Sequence, residues 1–159
     1  MLTTANKNVV ERVDHPETVV QYTLKTDEQY YKECMRSVRC KLLTEAGYYE
    51  SRSESDKGVA AVLHVILNRV KHPNMWASTI SGVISQPWQF SYKHDGSLEK
   101  GFTDKKQYRR IAVIAKKVLD GEIGSPVGLA TYYHTKQVKP VWREKLTKIG
   151  SIGRHIFYK

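Results

Sequence analysis

From Val59 to Leu67 every position but His64 is apolar. On a helix that run is hydrophobic on nearly every face, and such a helix is buried at the centre of a domain. The pattern predicts a helix to about Val70, capped by Ser53 or Ser55 and stopped by Lys71-His72-Pro73-Asn74. Upstream, Thr26 or Asp27 opens a second helix in which Tyr31, Met35, Val38, Leu42, Ala46 and Tyr49 recur every three or four residues, ending near Ser51. Its weak point is Gly47, which costs about 1 kcal/mol relative to Ala inside a helix. Thr103 with Asp104 opens a third, with Tyr108, Ile111, Ala112, Ala115, Val118 and Leu119 as its apolar stripe and Gly121 at its end.

Between these helices the pattern is less regular. Trp76 to Ser85 reads as a short helix, Gln86 to Tyr92 as an aromatic and amide cluster without periodicity, and Lys93 to Ser97 as a turn. Leu129 to His134 and His155 to Tyr158 read as strands able to pair into a small sheet, with a short helix over Pro140 to Lys148. The fold class expected is α+β, mostly α: a central buried helix beside a small β-sheet. Residues 1–25, polar with short β-branched patches and Pro16, form a loosely attached N-terminal extension with one short helix or strand; residues 26–159 are the domain proper.

Charge narrows the partners. The 26 Lys and Arg against 16 Asp and Glu leave a net charge of +10, which attracts polyanions: nucleic acid, an anionic membrane face or an anionic cell wall. Much of it lies on Lys105, Lys106, Arg109, Arg110, Lys116 and Lys117 of one helix, a solvated face or a polyanion patch. Cys34 and Cys40 are six apart; on one continuous helix they are separated by about 9 Å of rise, so they are expected to stay unbridged, as small core residues of a chain folded in a reducing compartment. The start has no basic-then-apolar leader pattern and no later run is long enough to span a membrane, so synthesis in the cytoplasm is expected.

The candidate chemistry is carboxylic. Glu50 falls at a helix C-terminus, where unpaired carbonyls disfavour a second negative charge, and burial against Tyr48, Tyr49, Trp88 and Phe90 would raise its pKa further. That is how a general acid is kept protonated near neutral pH. Glu54, four residues on, is either a second carboxylate of the site or a structural partner of Arg52 or Arg69, and Asp56 is a helix N-terminal charge. His134 and His155 lack the spacing of a metal site, so no metal is expected, and no nucleophile elbow, cysteine–histidine signature or phosphate loop is present.

Several ordered blocks carry a family resemblance. Glu50-Ser51-Arg52-Ser53-Glu54, then Gly58, then Val65-Ile66-Leu67-Asn68-Arg69-Val70 resembles the E-A-R-G-E, G, V-I-L-N-R-V signature of the SleB-type cell-wall hydrolases, the family of the spore-cortex-lytic enzyme catalytic domain. Gln89-Phe90-Ser91 is similar to its Q-F-S, Ala130 to His134 to its A-T-x-Y-H, and Pro140-Val141-Trp142 with Gly153 to Tyr158 to its closing P-x-W and G-x-H-x-F-Y. Ser51 and Ser53 depart from the family's Ala and Gly without removing an ionisable group.

The resemblance implies a lysozyme-like scaffold that cuts peptidoglycan between N-acetylmuramic acid and N-acetylglucosamine with one catalytic glutamate, Glu50, as lytic transglycosylase or muramidase, without cofactor or metal. Glu54, Gln89, Ser91, Tyr133 and His134 are candidates to hold the sugars, and Trp88, Phe90 and Trp142 to line the groove. The partners expected are glycan strands and an anionic cell-wall or outer-membrane surface, with no specific nucleic acid and a monomeric chain. A wall enzyme without a leader resembles a phage endolysin, made in the host cytoplasm and released onto the wall at lysis. The competing class is a basic nucleic-acid-binding module without activity.

Overall fold

The computed structural model describes residues 7–11, 20–87 and 89–159, and side chains from residue 23 onward. Two strands, β1 (Lys7–Glu11) and β2 (Val20–Leu24), pair antiparallel with Lys7 opposite Leu24 and Glu11 opposite Val20. The expected extension therefore contains a strand pair; the rest of residues 1–19 lies outside the described residues.

The helix predicted from Thr26 to Ser51 is two helices, α1 (Asp27–Met35) and α2 (Val38–Ser51). Thr26 opens α1 with a capping box, its hydroxyl accepting from the Gln29 N–H at 3.2 Å and the Gln29 side chain accepting from the Thr26 N–H at 2.8 Å. Ser37 then caps α2, accepting from the Cys40 N–H. A good cap inside an apolar period restarts the helix on a new axis. The restart overturns the expectation of free thiols: the Cα atoms of Cys34 and Cys40 lie 5.1 Å apart and the two form a disulfide, both residues fully buried. It also shifts the phase of the apolar stripe, leaving Val38 on the surface and Leu43 in the core.

The central helix is α3 (Asp56–Val70), capped by Ser55 through the Gly58 N–H. Leu63 and Ile66 pack with α2 and α6 (Lys105–Leu119), while Ala61, Val62 and Val65 pack with Val127, Ala130 and Phe157. His64, the one interruption of its apolar half, donates from Nε2 to the Ile123 carbonyl at 2.8 Å. Gly47 is a close-approach residue: a Cβ there would stand 2.9 Å from Ile111 Cγ2 and 3.0 Å from Leu63 Cδ2. Asp104 caps α6 through the Gln107 N–H, and Gly121, at φ 75°, follows its end.

Shorter elements depart from the sequence pattern. The helix expected from Trp76 is α4 (Ile80–Ser85), because Thr79 caps it through the Gly82 N–H. A short α5 (Ser97–Lys100) begins at the last residue of the expected turn. The helix expected over Pro140 to Lys148 is a 3-10 turn over Val141–Lys145 followed by a strand. The sheet is three-stranded and antiparallel, in the order β3 (Tyr132–Thr135), β5 (His155–Tyr158), β4 (Lys148–Ile152), with Tyr133 opposite Phe157 and Ile152 opposite His155. β4 escaped the sequence reading because Lys148-Ile149-Gly150-Ser151 is mostly exposed and carries a bulge at its start.

Candidate active site

Asn68 and Arg69, at the end of the central helix, are polar residues that follow its apolar run, and both are buried. The Asn68 amide donates to the carbonyls of Gly128 and Ala130, at 3.0 and 2.9 Å, and Arg69 Nε donates to that of Thr131 at 2.8 Å. Three hydrogen bonds from these two side chains thus satisfy the backbone of the segment leading into β3 and fix that strand against α3. Arg69 also donates from Nη1 to Gln89 Oε1 at 3.0 Å, joining the irregular aromatic loop to the same point.

The result is a cleft of about 570 Å³ between the helices and the sheet. Tyr49 and Glu50 from α2, Arg69, Gln89 and Ser91 line one side; Tyr132, Tyr133, His134, Thr135, Val138, Trp142 and His155 line the other. Among the described residues Glu50 alone brings a carboxylate to this lining. The Tyr133 hydroxyl donates to Glu50 Oε2 at 2.8 Å. Burial raises the Glu50 carboxyl above its ordinary range, and Asp95 adds to the shift; the Tyr133 hydrogen bond and the Arg69 charge oppose it without cancelling it. A half-buried, protonatable carboxyl facing a polar cleft can deliver a proton to a bound oxygen.

Six of the residues singled out in the sequence meet here: Glu50, Gln89, Ser91, Tyr133, His134 and Trp142. His134 is held by its neighbours, Nε2 lying 2.9 Å from the Tyr158 hydroxyl and the ring stacked on that of Tyr158. Phe90 is elsewhere: it is 1% exposed, in the core, with the Arg69 guanidinium over its ring. Trp88 lies outside the described residues.

Glu54 is 8% exposed and stands behind the cleft rather than in its lining. Its carboxylate accepts from the Arg154 backbone N–H, at 3.2 and 3.4 Å, and lies 3.7 Å from His155 Nδ1. The partners expected from sequence, Arg52 and Arg69, are not the ones it takes. His155 in turn sets its ring edge-on to Tyr133 at 5.1 Å, and burial lowers its pKa against the pull of Glu54. The sequence reading gave no site role to Tyr49, Arg69, Tyr132, Thr135, Val138 or His155. For Arg69 a signal existed, a charged residue inside the most apolar helix; Tyr49 is placed by the packing of α2, and the others are decided by strand register and loop path.

The central buried helix, the helices packed around it and the small antiparallel sheet facing a cleft define a lysozyme-like helical domain. The profile of the family described as Cell Wall Hydrolase matches residues 53–158, and the chain belongs to that family; Glu50 lies just ahead of the matched stretch. The spore cortex-lytic enzyme of Bacillus cereus is 39% identical over 123 residues, covering 74% of this chain and 43% of the relative, and that of Bacillus subtilis is 31% identical over 117 residues, covering 74% and 36%. The chain thus spans less than half the length of these relatives. The catalytic domain of the germination-specific lytic transglycosylase SleB from Bacillus anthracis superposes with a TM-score of 0.62 at 33% identity, covering 76% of this chain and 93% of that one. The catalytic domain of the Bacillus cereus SleB protein does so with 0.62 at 34%, covering 76% and 89%.

Proposed function

We propose that this chain cleaves the glycan strand of peptidoglycan between N-acetylmuramic acid and N-acetylglucosamine, with Glu50 as the general acid. The observation that carries the reading is the Glu50 carboxyl itself: half-buried, with its pKa raised, bonded by Tyr133, and facing a cleft lined with amide, hydroxyl and aromatic side chains. Protonation of the glycosidic oxygen by Glu50 breaks the bond as an oxocarbenium-like centre develops on the muramic acid carbon. Gln89 and Ser91 hold hydroxyl and acetamido groups, Trp142 gives an aromatic face to a sugar ring, and His134, whose ring nitrogens are taken by the Thr135 carbonyl and the Tyr158 hydroxyl, shapes the cleft wall. The proposed catalytic domain is residues 26–159.

The product follows from the carboxylate count. An inverting hydrolase needs a second carboxylate to activate water, and the nearby Glu54 accepts from the Arg154 N–H and is not part of the cleft lining. A lytic transglycosylase needs one: the muramic 6-hydroxyl attacks its own anomeric carbon, and Glu50, now ionised, takes the hydroxyl proton. The product is 1,6-anhydromuramic acid, with no water consumed. Mass spectrometry of digested peptidoglycan tests this; muramic ends lacking one water are expected, and exclusively reducible ends would overturn it.

The place of action proposed is the cell wall, after release from the cell that makes the protein, as in an endolysin. The Cys34–Cys40 disulfide supports work outside a reducing cytoplasm. The net charge of +10 supports attraction to an anionic wall or outer-membrane surface. The basic α6 face gives the nucleic-acid reading little support, because Arg109 pairs with Glu28, Arg110 with Asp56, Lys116 with Asp120 and Lys117 with Asp27. Purified protein added to cell walls and, separately, to DNA separates the two: clearing without DNA retention is expected, and salt-sensitive DNA binding without clearing would sink the enzyme reading.

A further inference from the structure

Tyr132 lines the Glu50 cleft and also a second cavity, of about 260 Å³. The chemistry changes across that residue. Trp76, Leu129 and Leu146 line the smaller cavity, with Met75 beside them and His72 and Lys159 as its charged or titratable lining. Met75 is 64% exposed and Leu129 56%, so apolar surface stands uncovered next to a polar cleft. Scattered exposed apolar side chains are ordinary, but two that converge on one cavity mark a binding surface. The rings of Trp76, Tyr132 and Trp142 follow one another at centroid distances of 5.5 and 5.2 Å, making one aromatic surface that runs from the cleft into the cavity.

A sugar ring needs hydrogen-bond partners around its edge, and the cleft has them in Arg69, Gln89, Ser91 and Tyr133. The smaller cavity offers few, so another sugar would leave its hydroxyls unpaired there. A peptidoglycan strand carries one substituent of the opposite character: the peptide stem, joined to muramic acid through a lactyl ether, rich in alanine methyl groups and bearing free carboxylates. We propose that the cavity beyond Tyr132 receives the first residues of this stem when its muramic acid lies in the cleft. Methyl groups pack on Trp76, Leu129 and Leu146, and carboxylates meet Lys159 and His72. The chain is then selective for strands that keep their peptides. This assignment rests on the reading of the cleft as a glycan-cleaving site.

The test compares two soluble, uncrosslinked glycan preparations from one peptidoglycan, one with its stems and one stripped by an amidase. With the full chain, kcat/KM is expected to be about tenfold higher on the stem-bearing strands, the scale set by a few buried methyl groups. Leu129→Asp and Met75→Asp alter exposed positions, and each is expected to bring the ratio between the two substrates toward one with an unchanged melting temperature. Stripped strands cleaved as well as stem-bearing ones, or a ratio unmoved in both variants, would overturn the stem site while leaving the cleft reading intact. Failure of the unmodified chain to cleave either preparation would overturn the cleft reading and the stem site with it.

Discussion

The carboxylate of Glu54 occupies the space that a side chain on Gly153 would need. On its other flank Gly58 is equally bare, since a Cβ there would come within 2.9 Å of Glu54 Cβ. Glu54 is thereby clamped between the first turn of α3 and the two-residue turn joining β4 to β5, where it accepts from the Arg154 N–H. Gly153 also has a φ of 55°, which L side chains adopt at a cost of about 1 kcal/mol. Gly153→Ala is therefore expected to lower the melting temperature and the wall-clearing rate together, because displacing Glu54 moves His155 and the Tyr133 ring that it touches. A variant with unchanged melting temperature would show that the turn is not held in this way.

Replacing Glu50 separates chemistry from stability. Glu50→Gln keeps the shape and an acceptor for Tyr133 but has no carboxylic proton, so clearing is expected to fall by about 10²–10⁴-fold with the fold intact. The same variant is expected to be more stable than the parent at pH 7. Burial raises the folded carboxyl's pKa, so as pH climbs above the ordinary carboxylate range the unfolded chain releases a proton that the folded chain still holds, and stability falls. The advantage of Gln should vanish below about pH 4, where both states are protonated. Near-parent clearing, or a stability gain that persists in acid, would contradict the assignment.

Tyr133→Phe removes the hydroxyl that donates to Glu50 Oε2. That hydrogen bond favours the ionised carboxylate and so opposes the effect of burial. Without it the Glu50 pKa rises, and the alkaline limb of the kcat/KM profile on soluble glycan should move to higher pH while the maximum falls through lost orientation. A limb that stays in place, or moves down, would remove Tyr133 from the control of Glu50.

The Cys34–Cys40 disulfide ties the end of α1 to the first turn of α2 across the Arg36-Ser37 break. By loop-closure entropy, so short a ring is worth about 2 kcal/mol. The intact chain should be lighter than its reduced form by two hydrogens, and the double variant Cys34→Ser, Cys40→Ser should melt several degrees lower. Two thiols titratable in denaturant without reductant would refute the bridge.

The central helix, the caps at Thr26, Ser55 and Asp104, and the carboxylate at the end of α2 were legible in the sequence because each is a local relation: a hydrophobic period, a side chain reaching an N–H three residues on, a charge at a helix terminus. Ser37 shows where local reading stops. Either a mid-helix serine or a cap suits the same apolar period; in the fold Ser37 is a cap, and the change of axis there makes the disulfide possible.

The amino-acid sequence by itself determined a mostly helical chain built on one largely apolar helix, a basic charge balance, two strands rich in aromatic residues and a carboxylate, Glu50, at a helix end, since composition, period and residue spacing are properties of the chain alone. Only the tertiary structure decided that Tyr133 bonds Glu50 from 83 residues away, that Glu54 turns behind the cleft to Arg154, 100 residues on, and that Phe90 enters the core while Arg69 and His155 reach the site. These contacts join residues whose separation in the chain carries no periodic signal. Their partners are chosen by which buried donors and carboxylates must be satisfied once α3 and the sheet have packed.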